Sequence, residues 1–342
     1  MKSNRNTQTK LFFSQTWYFL NEYLPKQAGN SPATVESYRD SLSIFRHFLT
    51  ENLHKSIATF KFSDCTKDCV YDYREHLQQR GNKPSTINVR VTAIRTYLNY
   101  AADVDISVQS VALAISQIRP LKKIQNEKEV LNEDALAAVL SSPPQTKMGL
   151  RDRAILVTLY DSAVRLNELL TIKLGDVYLE GEYPYVFING KGNKQRTVVL
   201  TEKTVNHLKE YIRIYHANSS RDSFLFSTTI KGETDKMSSG NVQRILKKHA
   251  DLARKKCPVM PETVHPHMLR RTRATNLYQD GVDLELVSTL LGHARVETTK
   301  IYAKPSVTQL RNALESVPTP TKDEVPLWVG NEDEMARRCG LR

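Results

Sequence analysis

Residues 176–200 read DVYLEGEYPYVFINGKGNKQRTVVL, the one stretch of this chain that alternates apolar and polar residues over a useful length. It is broken at Gly181 and again by the turn-forming run Asn189, Gly190, Lys191, Gly192 and Asn193. It can therefore form a small antiparallel sheet with tight turns. Nearly everywhere else the apolar residues step by three and four, the period of a helix with one buried face. The expected fold class is mainly α with a small antiparallel β-sheet.

The helices can be placed individually. SPATVESYRDSLSIFRHFL opens with Ser31 as N-cap and Pro32 at the first helical position. Its residues Val35, Tyr38, Leu42, Phe45 and Leu49 make one apolar face. KPSTINVRVTAIRTYLNYA is expected to repeat the design, with Ser85 as cap and Ile87, Val91, Ile94 and Leu98 as the stripe. Its other face carries Thr86, Arg90 and Arg95. FFSQTWYFLNEYL and the segment marked by Cys69, Tyr73 and Leu77 add two more, giving a bundle of four or five helices. RPLKKIQNEKEV, at 119–130, is polar and lacks an apolar period, so it reads as a linker. The expected organisation is a helical domain over 1–118, this linker, a second domain over 131–317 and a tail over 318–342. In the second domain a helix starts at Asn132, with Glu133 and Asp134 in its first turn. LRDRAILVTLYDSA is apolar enough to be central, and further helices are expected at 203–216, 239–255, 266–279, 283–291 and about 296–303.

Lys and Arg number 49 against 37 Asp and Glu, a net charge of +12. An excess of this size points to a polyanion, nucleic acid first and an anionic membrane surface second. No run of about 18 apolar residues is present to span a bilayer. The segment MKSNRNTQTK lacks a signal-peptide core, so a soluble cytoplasmic protein is expected. Cys65 and Cys69 have a spacing that two zinc ligands could use, but no second pair or clustered histidine completes a site. Neither metal nor cofactor is expected.

Several residues could carry chemistry. Arg165 stands just before a short helix, with Glu168 three residues later. Lys191 sits at the expected hairpin tip. His267 and Arg270 are three apart on a helix and project to one side. Gly292 suits a left-handed helix end, His293 follows it, and Tyr302 comes nine residues later between Lys300 and Lys304. Singly, each has an ordinary explanation: a surface arginine, a solvated helix face, a capping histidine, a packed tyrosine, a turn lysine. GKGNKQRT also lacks the order of a phosphate-binding P-loop.

Taken in order, the motifs AVRLNELL, GKGNKQRTVVL, HPHMLRRTRATNL and LLGHARVETTKIY resemble those of the tyrosine recombinase (phage integrase) family. The likeness spans about 130–305, and helical residues 10–117 fit that family's core DNA-binding domain. Two departures stand out: Ala163 where many members have Gly, and Arg271 where a His often follows the second arginine.

The resemblance implies two domains closing as a C-shaped clamp on duplex DNA, and strand cleavage through a covalent 3′-phosphotyrosine. Arg165 and Arg270 would hold the nonbridging phosphate oxygens, since planar guanidiniums match two oxygens and stay charged. Tyr302 would be the nucleophile, Lys191 the acid for the leaving 5′-hydroxyl and His267 the proton shuttle. His293 would donate to the phosphate, and Glu168 would orient a neighbour. Arg90 and Arg95 become candidates for the major groove, Lys122 and Lys123 for the DNA backbone. The implied partners are double-stranded DNA with inverted-repeat core sites and further copies of the chain, four in a synapse, with accessory proteins left open. Leu327 and Trp328 in the tail would dock on a neighbouring protomer. The expected role is recombination for a mobile element by integration, excision or transposition. Chromosome or plasmid resolution, a type IB topoisomerase-like activity and a catalytically idle DNA-binding protein are the alternatives. If guanidiniums rather than metal ions hold the phosphate, cleavage and rejoining should survive an excess of chelator. Loss of both steps, restored by magnesium, would show a different reaction class.

Overall fold

The computed structural model describes residues 11–122, 129–190, 195–292, 296–299, 302, 305, 307–316 and 331–341. Lys191, Lys194, His293, Lys123, Lys300, Lys304, Leu327 and Trp328 lie outside them. The chain divides into two compact units, Met1–Glu127 and Lys128–Arg342. Among the described residues no helix is long and apolar enough to cross a membrane.

In the first unit, α1 (Pro32–Asn52) has Ser31 as N-cap, its side chain accepting from the Thr34 N–H, and Pro32 at the first position. It packs with α2 (Lys67–Gln79) and α3 (Pro84–Val104), and α4 (Gln109–Ser116) packs on those two. The N-cap of α3 is Lys83, which makes no side-chain cap, rather than Ser85. Pro84 takes the first helical position, where its missing N–H costs nothing, and so starts the helix ahead of the serine. The segment before α1 also differs from a plain helix: Phe12–Gln15 is 3₁₀, Thr16–Tyr18 is α, and Phe19–Gln27 is π. Pro25 lies inside that last stretch and has no N–H to give to the regular helical ladder. The apolar stripes of α1, α2 and α3 meet in an aromatic core, with Phe12, Phe19, Phe45, Tyr73 and Tyr97 fully buried. Tyr97 ties the N-terminal segment down by donating its hydroxyl to the Phe12 carbonyl.

The second unit is built on α5 (Glu133–Ser141), capped by Asn132, and α6 (Lys147–Asp161). The continuous buried run Ala154–Leu159 makes α6 the central helix. Then come α7 (Leu166–Leu170) and the sheet β1 (Val177–Tyr178), β2 (Tyr185–Asn189) and β3 (Gln195–Val199). The strands are antiparallel in the order β1-β2-β3, with Val186 opposite Val198 and Ile188 opposite Arg196. After α8 (Glu202–Tyr215) comes a second antiparallel pair, β4 (Ser227–Ile230) and β5 (Glu233–Lys236), which the sequence reading missed. β5 is wholly exposed and β4 half so, hence no alternation betrays them. Their signal is the turn: Lys231 and Gly232 both have positive φ, as a two-residue hairpin loop requires.

The chain continues through α9 (Ser239–Arg254), α10 (Pro266–Gln279), α11 (Leu284–Leu291), α12 (Val307–Ser316) and α13 (Glu332–Arg338). Where a helix over about 296–303 was expected, the described residues form a 3₁₀ turn, Val296–Thr298, and Thr299 accepts the Tyr302 N–H at 2.8 Å.

Gly149, in the first turn of α6, lies against the Pro144 carbonyl, and a Cβ added there would sit 2.1 Å from that oxygen. A helical Gly→Ala change ordinarily stabilises by roughly 0.5–1 kcal/mol. Here overpacking against backbone, at about 1–3 kcal/mol, outweighs it. Gly149→Ala should therefore lower the thermal midpoint; a raised midpoint would contradict this packing.

Candidate active site

The site starts from an unusual backbone. Ala163, just past α6, has φ of +49°, a left-handed conformation that costs a Cβ-bearing residue about 1–2 kcal/mol. The Ala163 carbonyl accepts from Nη1 of Arg270, and the Leu291 carbonyl, at the end of α11, accepts from Nη2 at 2.7 Å. Arg270 is 1% exposed, so its charged end is held by carbonyls of two separate segments. Burial, then repulsion from Arg165, lowers its pKa to about 10, with Glu168 and Tyr302 acting in the opposite sense. It stays charged at neutral pH.

Arg165 is the N-cap of α7, and Glu168 is the third residue of that helix. This is a capping box with an arginine at its head: the Glu168 carboxylate accepts the Arg165 N–H at 2.9 Å and Arg165 Nη1 at 2.8 Å. Arg196 of β3 joins them, giving Nη1 to Oε1 at 3.2 Å and Nη2 to Oε2 at 2.8 Å. Burial pushes the Glu168 carboxyl up, but the bonds from Arg196 and Arg165 outweigh it and hold the pKa at about 2. Sequence reasoning missed Arg196. Its signal was strand alternation, which sets it on the same face as the buried Val198.

Tyr302 is 5% exposed and packs with Ala163, Ala274, Val287 and Leu291. His267 lies one turn before Arg270 on α10 but is exposed where Arg270 is buried. Partial desolvation and then the cations Arg270 and Arg271 lower its pKa, so the ring is neutral at neutral pH. His265 caps α10, accepting from the Met268 N–H, and its other nitrogen lies 3.1 Å from Arg271. The structure thus gathers Arg165, Glu168, Arg270 and Tyr302, adds Arg196, and sets His267 at the edge. Among the described residues of the site, three guanidiniums against one carboxylate leave an excess of two positive charges beside a tyrosine.

The remaining candidates among the described residues lie in the first unit. Arg90 donates to Asn82 Oδ1 at 2.9 Å, and Arg95 donates to the Ile118 carbonyl at 2.7 Å, so both are tethered within it. Lys122 is exposed.

Residues 129–309 match the phage integrase family, and residues 11–114 match the phage integrase SAM-like domain. The tyrosine recombinase XerC of Staphylococcus haemolyticus (strain JCSC1435) is 31% identical over 294 residues, covering 86% of this chain and 93% of its own. Among solved structures, the XerH site-specific recombinase bound to difH substrate has a TM-score of 0.64 at 23% identity, over 87% of this chain and 83% of that one. A lambda integrase dimer bound to a core site gives 0.64 at 15% identity, over 89% and 80%. These two likenesses support the fold, and the family rests on the sequence matches. The chain therefore belongs to the phage integrase family, as a tyrosine recombinase, an enzyme of site-specific recombination.

Proposed function

We propose that the site cleaves and rejoins duplex DNA through a covalent bond between Tyr302 and a 3′-phosphate. The tyrosine Oη–P bond forms as the P–O5′ bond breaks, and the energy is kept for rejoining without ATP. Arg165 and Arg270 take the nonbridging oxygens, whose charge grows in the transition state. His267, neutral at neutral pH, takes the tyrosine proton, and Lys191 protonates the leaving 5′ oxygen. His293 donates to the phosphate. The observation that carries this reading is the packing of Tyr302 against Ala163 and Leu291, the two residues whose carbonyls hold Arg270.

In this reading the first unit binds DNA, with Arg90, Arg95, Lys122 and Lys123 toward the duplex, and copies of the chain assemble as a tetramer on paired inverted-repeat sites in the cytoplasm. Leu310 and Leu314, exposed four apart on α12, offer an apolar face for a second copy. The setting is a mobile element, with chromosome or plasmid resolution as the alternative. Inverted repeats flanking the gene would support the first, and their absence would favour the second.

Tyr302→Phe removes one hydroxyl and no charge. It should abolish covalent capture of a nicked suicide substrate on a denaturing gel while leaving DNA binding in place. A persistent adduct would overturn the assignment, and binding without any adduct from the wild-type chain would favour an idle DNA-binding protein. Lys191→Ala should slow cleavage of normal DNA and recover on a 5′-bridging phosphorothiolate, whose leaving group needs little protonation. Arg165→Ala should not recover. Equal responses would remove Lys191 from the role of acid.

A further inference from the structure

Arg196 is a charged side chain that the chemistry above does not use, yet it is placed with care. β3 turns it to the buried side, and its side chain is 18% exposed. It grips Glu168 as a fork on both oxygens, a geometry that fixes the orientation of a carboxylate as well as its charge. Its guanidinium also lies over the helix end before His293: a Cβ added at Gly292 would meet Cζ at 2.7 Å and Nε and Nη1 at 2.8 Å. Gly292, with φ of +62°, is thus needed both for the left-handed turn and for the room Arg196 occupies.

We infer that Arg196 is a positioning residue for strand cleavage: it fixes the Glu168 carboxylate and, through it, the Arg165 guanidinium that receives the scissile phosphate. This rests on the role proposed for Arg165. Glu168 reaches Arg165 through Nη1 and the backbone N–H, whereas among the described residues Arg165 Nη2 approaches only the Gly292 carbonyl, at 3.5 Å. A carboxylate shared with Arg196 leaves that second edge of Arg165 for phosphate. A carboxylate released by Arg196 would be free to turn both oxygens onto Arg165, offsetting its charge and moving it. The low position of the Glu168 carboxyl agrees with this, since the Arg196 side-chain hydrogen bonds are the largest single cause holding it down. The charged groups facing Glu168 among the described residues are Arg165, Arg196 and Arg270.

The test uses the full chain in single-turnover cleavage of a suicide substrate across pH, with half-site gel shifts for binding. Arg196→Ala should slow cleavage by about a hundredfold, the scale of a displaced catalytic group, without changing half-site affinity. With His267→Gln in both chains, so that histidine titration does not set the limb, the acid limb should move to higher pH, because Glu168 loses its two hydrogen bonds from Arg196 and protonates sooner as the pH falls. Arg196→Lys keeps the charge without the fork and should hold the acid limb lower than Arg196→Ala while remaining slower than wild type. Combined with Glu168→Gln, Arg196→Ala should add no further loss, since both act along one path. Equal losses in binding and cleavage would make Arg196 a DNA contact and overturn the inference. So would wild-type rates, an unmoved acid limb or losses that multiply in the double variant. If circular dichroism shows Arg196→Ala unfolded, the Lys variant decides alone, and a wild-type rate and pH profile there overturn the proposal. A wild-type chain that forms no adduct would refute the proposed function itself, a distinct outcome.

Discussion

One buried guanidinium organises this site. Arg270 reaches from α10 to the carbonyls of Ala163 and Leu291, and so joins the turn after α6 to the end of α11. A buried cation without partners would be too costly for the fold to keep. These carbonyls meet part of its hydrogen-bonding need, and Glu168 and Tyr302 favour its charged form. Lowering a guanidinium from 12.5 to about 10 means its charged form is disfavoured by roughly 3 kcal/mol relative to water. An anion arriving beside it relieves that penalty, which favours phosphate at this point over the many other cations on the chain.

The same logic explains the pair Arg165 and Glu168. An arginine at a helix N-terminus sits at the positive end of the dipole, where cations are disfavoured. Glu168 compensates by accepting both its N–H and its guanidinium, and Arg196 completes the carboxylate's partners. The acid is therefore ionised throughout the neutral range and serves as a fixed strut. The Tyr302 ring is buried among apolar residues beside this cluster.

Much of this was legible in the sequence because it was periodic or capped. The stripes of α1 to α3, the Asn132 cap, the central α6 and the Arg165–Glu168 spacing all follow local rules. What escaped was set by tertiary context. β4 and β5 have no buried face to alternate, the segment before α1 winds as 3₁₀ and π helix around Pro25, and Ser85 yields its cap to the proline before it. Arg196 was readable as an inward strand position, but its partner lies 28 residues away on α7. Nothing local states that an arginine there meets a carboxylate. Ala163 was noticed as a departure from glycine, and only its positive φ shows what the position demands.

In the proposed function, Tyr302, Arg165 and Arg270 address one phosphate. A crystal structure of the chain captured on a suicide substrate tests it most directly. Phosphorus should be bonded to Tyr302 Oη, with its nonbridging oxygens within hydrogen-bond reach of both guanidiniums. A covalent bond at another residue, or a captured phosphate out of reach of Arg165 and Arg270, would contradict it.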